Sequence, residues 1–207
     1  MSPLLKTAAR LLAGRTADNR EPPAQGGPEA RRAHQLSLLE ECLKRLPAAA
    51  LPRNLKLSFS VAEAADCPDI SHVELLSARF ENRLYPLNIP EETFVRMWVE
   101  RLASGEYTAL LAHAGNKLAG FVAFKGPVEE GYICALYISP LFFRKGVGRT
   151  LMELSALFCR AEGGMRLTLK VEPLNYGAIS FYQSLQFRAL AVKSSHLIVF
   201  QKELLPC

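Results

Sequence analysis

The spacing of apolar residues changes several times along the chain, and each change marks an element. Leu4, Leu5, Ala8, Leu11 and Leu12 recur at helical spacing beside Lys6, Arg10 and Arg15, which predicts a short basic amphipathic helix. Pro22, Pro23, Gly26, Gly27 and Pro28 follow, so residues 19–28 sustain neither helix nor strand and read as a linker. Leu36, Leu39, Leu43 and Leu46, with Leu38 and Cys42 beside them, then mark a second amphipathic helix that stops near Pro47. Its apolar stripe needs a surface to cover, and docking on the chain's own core is the commoner outcome.

From Leu57 the period becomes that of an ordinary domain. Residues 57–61 alternate as a strand, and residues 68–83 read as a helix that runs into a loop over 85–90. Pro90 and the acids Glu91 and Glu92 open a further helix over 91–103. Three strands follow over 108–113, 118–125 and 132–138, separated by Gly115-Asn116 and by Gly126-Pro127 with Gly131, which suits an antiparallel meander. Pro140 stops the third strand, and Leu151, Leu154, Leu157 and Phe158 give the next helix a buried face. A strand over 167–171, a helix after Asn175 and a final pair of strands complete the order β-α-α-β-β-β-α-β-α-β-β. The expectation is an α/β domain over residues 56–207, preceded by a basic extension over residues 1–55.

Composition narrows this picture. The 207 residues suit one domain with an appendage. With 49% hydrophobic and 22% charged residues, and no apolar run near the ~20 residues of a membrane span, a soluble cytoplasmic protein is expected. The five cysteines are widely spaced without a paired C-x-x-C, which points to reduced thiols rather than a zinc or disulfide framework. Net charge is +5, but residues 1–55 hold 9 Lys and Arg against 5 Asp and Glu, whereas residues 56–207 hold 16 against 15. The domain itself therefore has no excess charge that would argue for nucleic-acid binding.

Candidate chemistry begins at the turn Gly146-Val147-Gly148, between a strand and a helix N-terminus. Such a turn points several backbone N–H groups at one spot, where the helix dipole adds positive charge, so it suits a phosphate or pyrophosphate. Neither a third glycine nor Gly-Lys-Ser/Thr follows, which sets aside the dinucleotide and Walker fingerprints. Asn175 and Tyr182 are seven residues apart and so stand on one face of a helix, two turns apart.

Taken in order, YICALYISP, FRKGVG, a helix, a strand and NYGAISFYQSLQF, from Tyr132 to Phe187, resemble the acetyl-CoA-binding core of the GNAT superfamily of N-acetyltransferases. The resemblance implies the GNAT fold, a mixed central sheet with an antiparallel meander and a splayed parallel pair, flanked by helices. It also implies direct acetyl transfer from acetyl-CoA to a primary amine of a small molecule or protein, with no metal. The pyrophosphate would lie over the backbone of Arg144, Lys145, Gly146, Val147, Gly148, Arg149 and Thr150. The backbone of Leu136, Tyr137 and Ile138 would hold the pantetheine arm and polarise the thioester. Asn175 would contact that arm, with Ala178 leaving room for it, and Tyr182 would be the general acid. A phenol near pKa 10 stays protonated at neutral pH and can give its proton to a thiolate whose acid has a pKa near 8.5.

Two departures qualify the resemblance. Phe143 stands where the family has Gln or Arg, and the strand over 132–138 lacks the usual carboxylate. Glu129 and Glu130, just before that strand, and Glu172, which ends the next, are the candidate bases, one of them acting through water. The acceptor is expected near residues 79–90 and 194–196, where Arg79, Arg83 and Tyr85 could steer it. A homodimer or a docking partner at the N-terminal helices is a further expectation. The rival expectation is a GNAT-fold module that binds acyl-CoA without turnover.

Overall fold

Among the described residues, seven strands form one sheet. The computed structural model describes residues 27–81, 90–126, 129–190 and 197–204. The predicted helix over residues 4–15, most of the loop over 85–90, and residues 194–196 lie outside the described residues.

Strand β1 (Ser58–Val61) pairs with β2 (Tyr107–Ala114), and β3 (Lys117–Lys125) and β4 (Glu130–Ile138) continue the predicted meander. All of these pairs are antiparallel. Strand β5 (Arg166–Val171) then lies parallel to β4, reached through a crossover helix. The antiparallel strands β7 (Ile198–Glu203) and β6 (Arg188–Ala189) complete the sheet beyond β5. Among the described residues, β4–β5 is the single parallel pair.

Alternation along the strands loads both faces of the sheet. Leu110 and Val122 face a cluster shared with helices α1 (Pro28–Arg45) and α4 (Val147–Ala161), while Ala109, Leu111, Phe121 and Ala123 face the other side. There they meet α2 (Cys67–Glu81) and α3 (Glu91–Ser104), whose Ile70, Val73 and Trp98 are buried. A short helix α5 (Tyr176–Ser184) packs with the first cluster through Tyr182. Each face is therefore covered by a helical layer, the arrangement that two-sided apolar strands require.

Helix α1 docks as its apolar stripe predicts. Pro28 occupies its first turn and Lys44 and Arg45 its last, and Leu38, Leu39 and Cys42 are buried in the same cluster as α4. The chain that follows reaches the start of α4, where the Thr150 hydroxyl donates to the Ala50 carbonyl at 2.6 Å. Residues 27–55 thus brace the crossover helix rather than lying apart from the sheet.

Leu39 is 4% exposed and Leu36, on the same helix, is 40% exposed. Leu39→Ala should cost about 2–5 kcal/mol in urea unfolding because it leaves a cavity between α1 and the sheet. Leu36→Ala should cost less than about 0.5 kcal/mol. Equal effects would show that α1 is not part of the cooperative fold.

Candidate functional site

The parallel ladder between β4 and β5 stops short. It runs from Glu130–Arg166 to Ile133–Leu169, yet β4 continues to Ile138 against β3 and β5 continues to Val171 against β7. Beyond Ile133 the two strands diverge, and the β4 edge facing β5 has no strand partner.

A bulge marks the point of divergence. Ala123 opposes Ala135 and Phe124 opposes Ile133, so Cys134 is an extra residue in β4. Its effect is visible in the packing: Ile133 faces the α4 cluster while Ala135 faces the α2–α3 cluster, although residues two apart in a regular strand share a face.

The gap opens into a cleft of about 510 Å³. Its walls include residues 133–138 of β4, 169–172 at the end of β5, and Asn175, Ala178, Phe181 and Tyr182 of α5. At its open end stands the first turn of α4. Gly146 is the N-cap, with φ at 90°, a left-handed value that suits glycine, and no side chain caps the helix. The Thr150 N–H bonds to the Gly146 carbonyl at 3.1 Å, so the N–H groups of Val147, Gly148 and Arg149 are the ones the helix cannot satisfy. Arg144 also has positive φ, at 59°, which curls the loop into the alternating-hand turn that forms anion-binding concavities. Gly148 is kept small by its neighbours, because a Cβ there would come within 3.3 Å of the Phe181 ring and 3.6 Å of Ile138.

Several expected residues meet at this cleft: Leu136, Tyr137, Ile138, Arg144, Gly146, Val147, Gly148, Arg149, Glu172, Asn175, Ala178 and Tyr182. Asn175 is also the α5 cap, its Oδ1 accepting from the Ala178 N–H at 3.0 Å, which leaves the amide NH2 as its donor group. Tyr182 is 9% exposed, its ring held among Phe181, Phe187 and Phe200.

Three expected residues stand elsewhere. Glu130 is exposed at the closed end of the β4–β5 ladder, opposite Arg166, because β4 starts earlier than its apolar run suggests. Thr150 is fully buried, and its hydroxyl donates to Ala50 while its N–H belongs to the helix. Lys145 extends over the Phe142 ring, at 5.4 Å, outside the cleft lining. Phe143 lines the cleft and packs edge-on against Phe80 at 4.9 Å.

Two further groups stand out only in the structure. Cys134 lines the cleft at the bulge, and burial pushes its thiol up to about 12. Glu74, on α2, is 6% exposed; its carboxylate accepts from Trp98 Nε1 at 2.6 Å and from the Tyr137 hydroxyl. Burial raises its pKa, and the Trp98 bond, the Arg101 charge and the Tyr137 bond offset this in part.

The Acetyltransferase (GNAT) family profile matches residues 73–187. The chain belongs to the GNAT acetyltransferase family. It is an acyltransferase, and acetyl-CoA is its cosubstrate. The ribosomal protein bS18-alanine N-acetyltransferase of Escherichia coli (strain K12) is 25% identical over 139 residues, 67% of this chain and 86% of that protein. The fold is shared with the PaiA N-acetyltransferase of Thermoplasma acidophilum in complex with coenzyme A, at TM-score 0.63 and 19% identity over 72% of this chain and 99% of that one. It is shared too with Salmonella typhimurium YncA, solved with its cofactor acetyl-CoA, at TM-score 0.55 and 20% identity over 72% and 94%. Among the described residues of this GNAT protein no helix is long and apolar enough to cross a membrane.

Glu74 gives the fold a pH dependence of definite sign. A carboxyl whose folded pKa is raised stabilises the fold fully below its unfolded pKa, and that contribution is lost as pH rises through the folded value. The urea midpoint of the wild-type protein should therefore fall relative to that of Glu74→Gln as pH rises above the ordinary carboxyl range. A difference that stays constant as pH rises would show that Glu74 does not titrate inside the fold.

Proposed function

We propose that this protein transfers the acetyl group of acetyl-CoA directly to a primary amine, with the α-amine of a protein N-terminus as the acceptor class to test first. The observation that carries the reading is the convergence on one cleft of the α4 first turn, the unpaired edge of β4, Asn175 and Tyr182. The acceptor class is suggested by the alanine N-acetyltransferase relative.

Each part of the cleft suits one task. The N–H groups of Val147, Gly148 and Arg149 accommodate a pyrophosphate, and the guanidinium groups of Arg144 and Arg149 add charge. The β4 edge over residues 134–138 offers main-chain bonds to the amide-containing pantetheine arm, as a sheet edge does to a peptide, and a donor to the thioester oxygen. The neutral amine attacks the carbonyl carbon, the C–S bond breaks, and the Tyr182 O–H gives its proton to the departing sulfur.

Transfer is direct on this reading because Cys134, the cysteine in the cleft, is held as a thiol at neutral pH and offers no nucleophile for an acetyl-enzyme. Phe143, packed on Phe80 where the family has Gln or Arg, is the observation that favours a binding module instead, and turnover decides between the two.

Isothermal titration should give micromolar acetyl-CoA binding that Gly148→Asp abolishes, since its carboxylate would crowd Phe181 and repel phosphate. Absence of binding by the wild-type protein would overturn the cofactor site. With an alanine-initiated peptide as acceptor, Tyr182→Phe should lower kcat about 10²-fold or more at unchanged acetyl-CoA Kd. An unchanged rate would remove Tyr182 as the acid. Cys134→Ala should keep kcat within about threefold, whereas a loss comparable to that of Tyr182→Phe would replace direct transfer with an acetyl-cysteine route.

A further inference from the structure

We propose that Tyr137 and Glu74 form the proton exit for the acceptor amine: the Tyr137 oxygen takes a proton from the incoming ammonium while the Tyr137 hydroxyl proton passes to the Glu74 carboxylate. The proposal rests on the transfer reading above and supplies the carboxylate that β4 lacks over residues 132–138.

The placement carries the argument. Tyr137 lines the cleft on the β4 segment beyond the bulge, and its side chain belongs to the α2–α3 face of the sheet. Tyr182, the proposed acid, belongs to the opposite face. A group at Tyr137 therefore meets an amine arriving from the side away from the one that serves the sulfur. Tyr137 donates its hydroxyl proton to Glu74, which is the only carboxylate among the described residues with under 9% exposure. The charged and titratable groups facing Glu74 are Arg101 on α3 and Tyr137 on β4; Trp98 on α3 donates to it as well.

A buried carboxylate is costly to keep ionised, and among the described residues no salt bridge to Glu74 meets that cost. Trp98 alone would be satisfied equally well by an amide oxygen. What the acid adds is the capacity to accept a proton, and burial raises its affinity for one. The step balances: an N–H bond of the ammonium and the Tyr137 O–H bond break, a new Tyr137 O–H bond and a Glu74 O–H bond form, and ammonium plus carboxylate become neutral amine plus carboxylic acid. The proton returns to solvent by the reverse path once product leaves. Tyr137 touches the substrate in this scheme, and Glu74 acts only through it.

The test is the pH profile of kcat/KM for an alanine-initiated peptide, with Glu74→Gln and Tyr137→Phe beside the wild-type protein. Gln preserves an acceptor for Trp98, and Phe preserves the ring. At pH 7, where about a tenth of an α-amine of pKa near 8 is neutral, both variants should lose about tenfold. Above about pH 9 the amine is neutral without help, and the three profiles should converge to within about threefold. The double variant should be no slower than either single one, because both remove the same path. Acetyl-CoA affinity should be unchanged throughout. A loss that is the same at every pH, or additive in the double variant, overturns the relay while leaving acetyl transfer intact. No transfer to the peptide by the wild-type protein at any pH overturns the transfer reading, and the relay with it.

Discussion

Everything in this protein that resembles a site depends on one interruption, the end of the parallel ladder at Ile133–Leu169. A sheet is held by continuous main-chain pairing, and an unpaired edge inside it is costly unless something takes the missing strand's place. Here each diverging strand keeps its other neighbour, β3 for β4 and β7 for β5, so the gap does not unravel the sheet. The extra residue Cys134 bends β4 where pairing stops. The result is a slot lined by main-chain donors and acceptors on an otherwise rigid scaffold.

The slot in turn fixes where the helices can act. A right-handed crossover from β4 to β5 must begin where β4 ends, so the α4 N-terminus necessarily opens at the wide end of the gap. The chain after β5 enters α5 beside the same opening, which places Asn175 there and Tyr182 two turns further along. Residues 46–55 secure this end from outside. Thr150 is tied to Ala50, and Pro52 lies 3.6 Å from where a Gly146 Cβ would stand. The basic extension thereby contributes to the geometry of the loop, a role its composition does not suggest.

Local signals in the sequence were enough for the element order and for those site residues whose roles depend on near neighbours. Gly146 and Gly148 are legible because a strand, a turn and a helix meet within a few residues, and Asn175 with Tyr182 because helical spacing relates them. Features set by distant contacts were not legible. The alternation in residues 130–138 reads as an unbroken strand, since a bulge depends on the partner's register and not on residue type. Glu130 is near the expected chemistry in sequence, but a strand carries it to the closed end of the ladder. Thr150 is claimed by a carbonyl 100 residues away. Glu74 looks like one more solvated charge on a helix until Trp98, from the next helix, covers it.

On the proposed reading, the two faces of the sheet give a reason for acid and base to stand so far apart in the chain. Acyl transfer needs a proton donor at the sulfur and a proton acceptor at the nitrogen, and in direct contact the two would neutralise each other. Strand β4 stands between them, with Tyr182 packed in the α4–α5 cluster and Tyr137 with Glu74 in the α2–α3 cluster. The slot beyond Ile133 is the passage that connects those two environments. On the proposed reading, the substrate carbonyl sits in that passage with its leaving group toward one face and its nucleophile toward the other. The Cys134 bulge sets the β4 side of this division, since it turns Ile133 toward one face and Ala135 with Tyr137 toward the other, while α5 brings Tyr182 to the first.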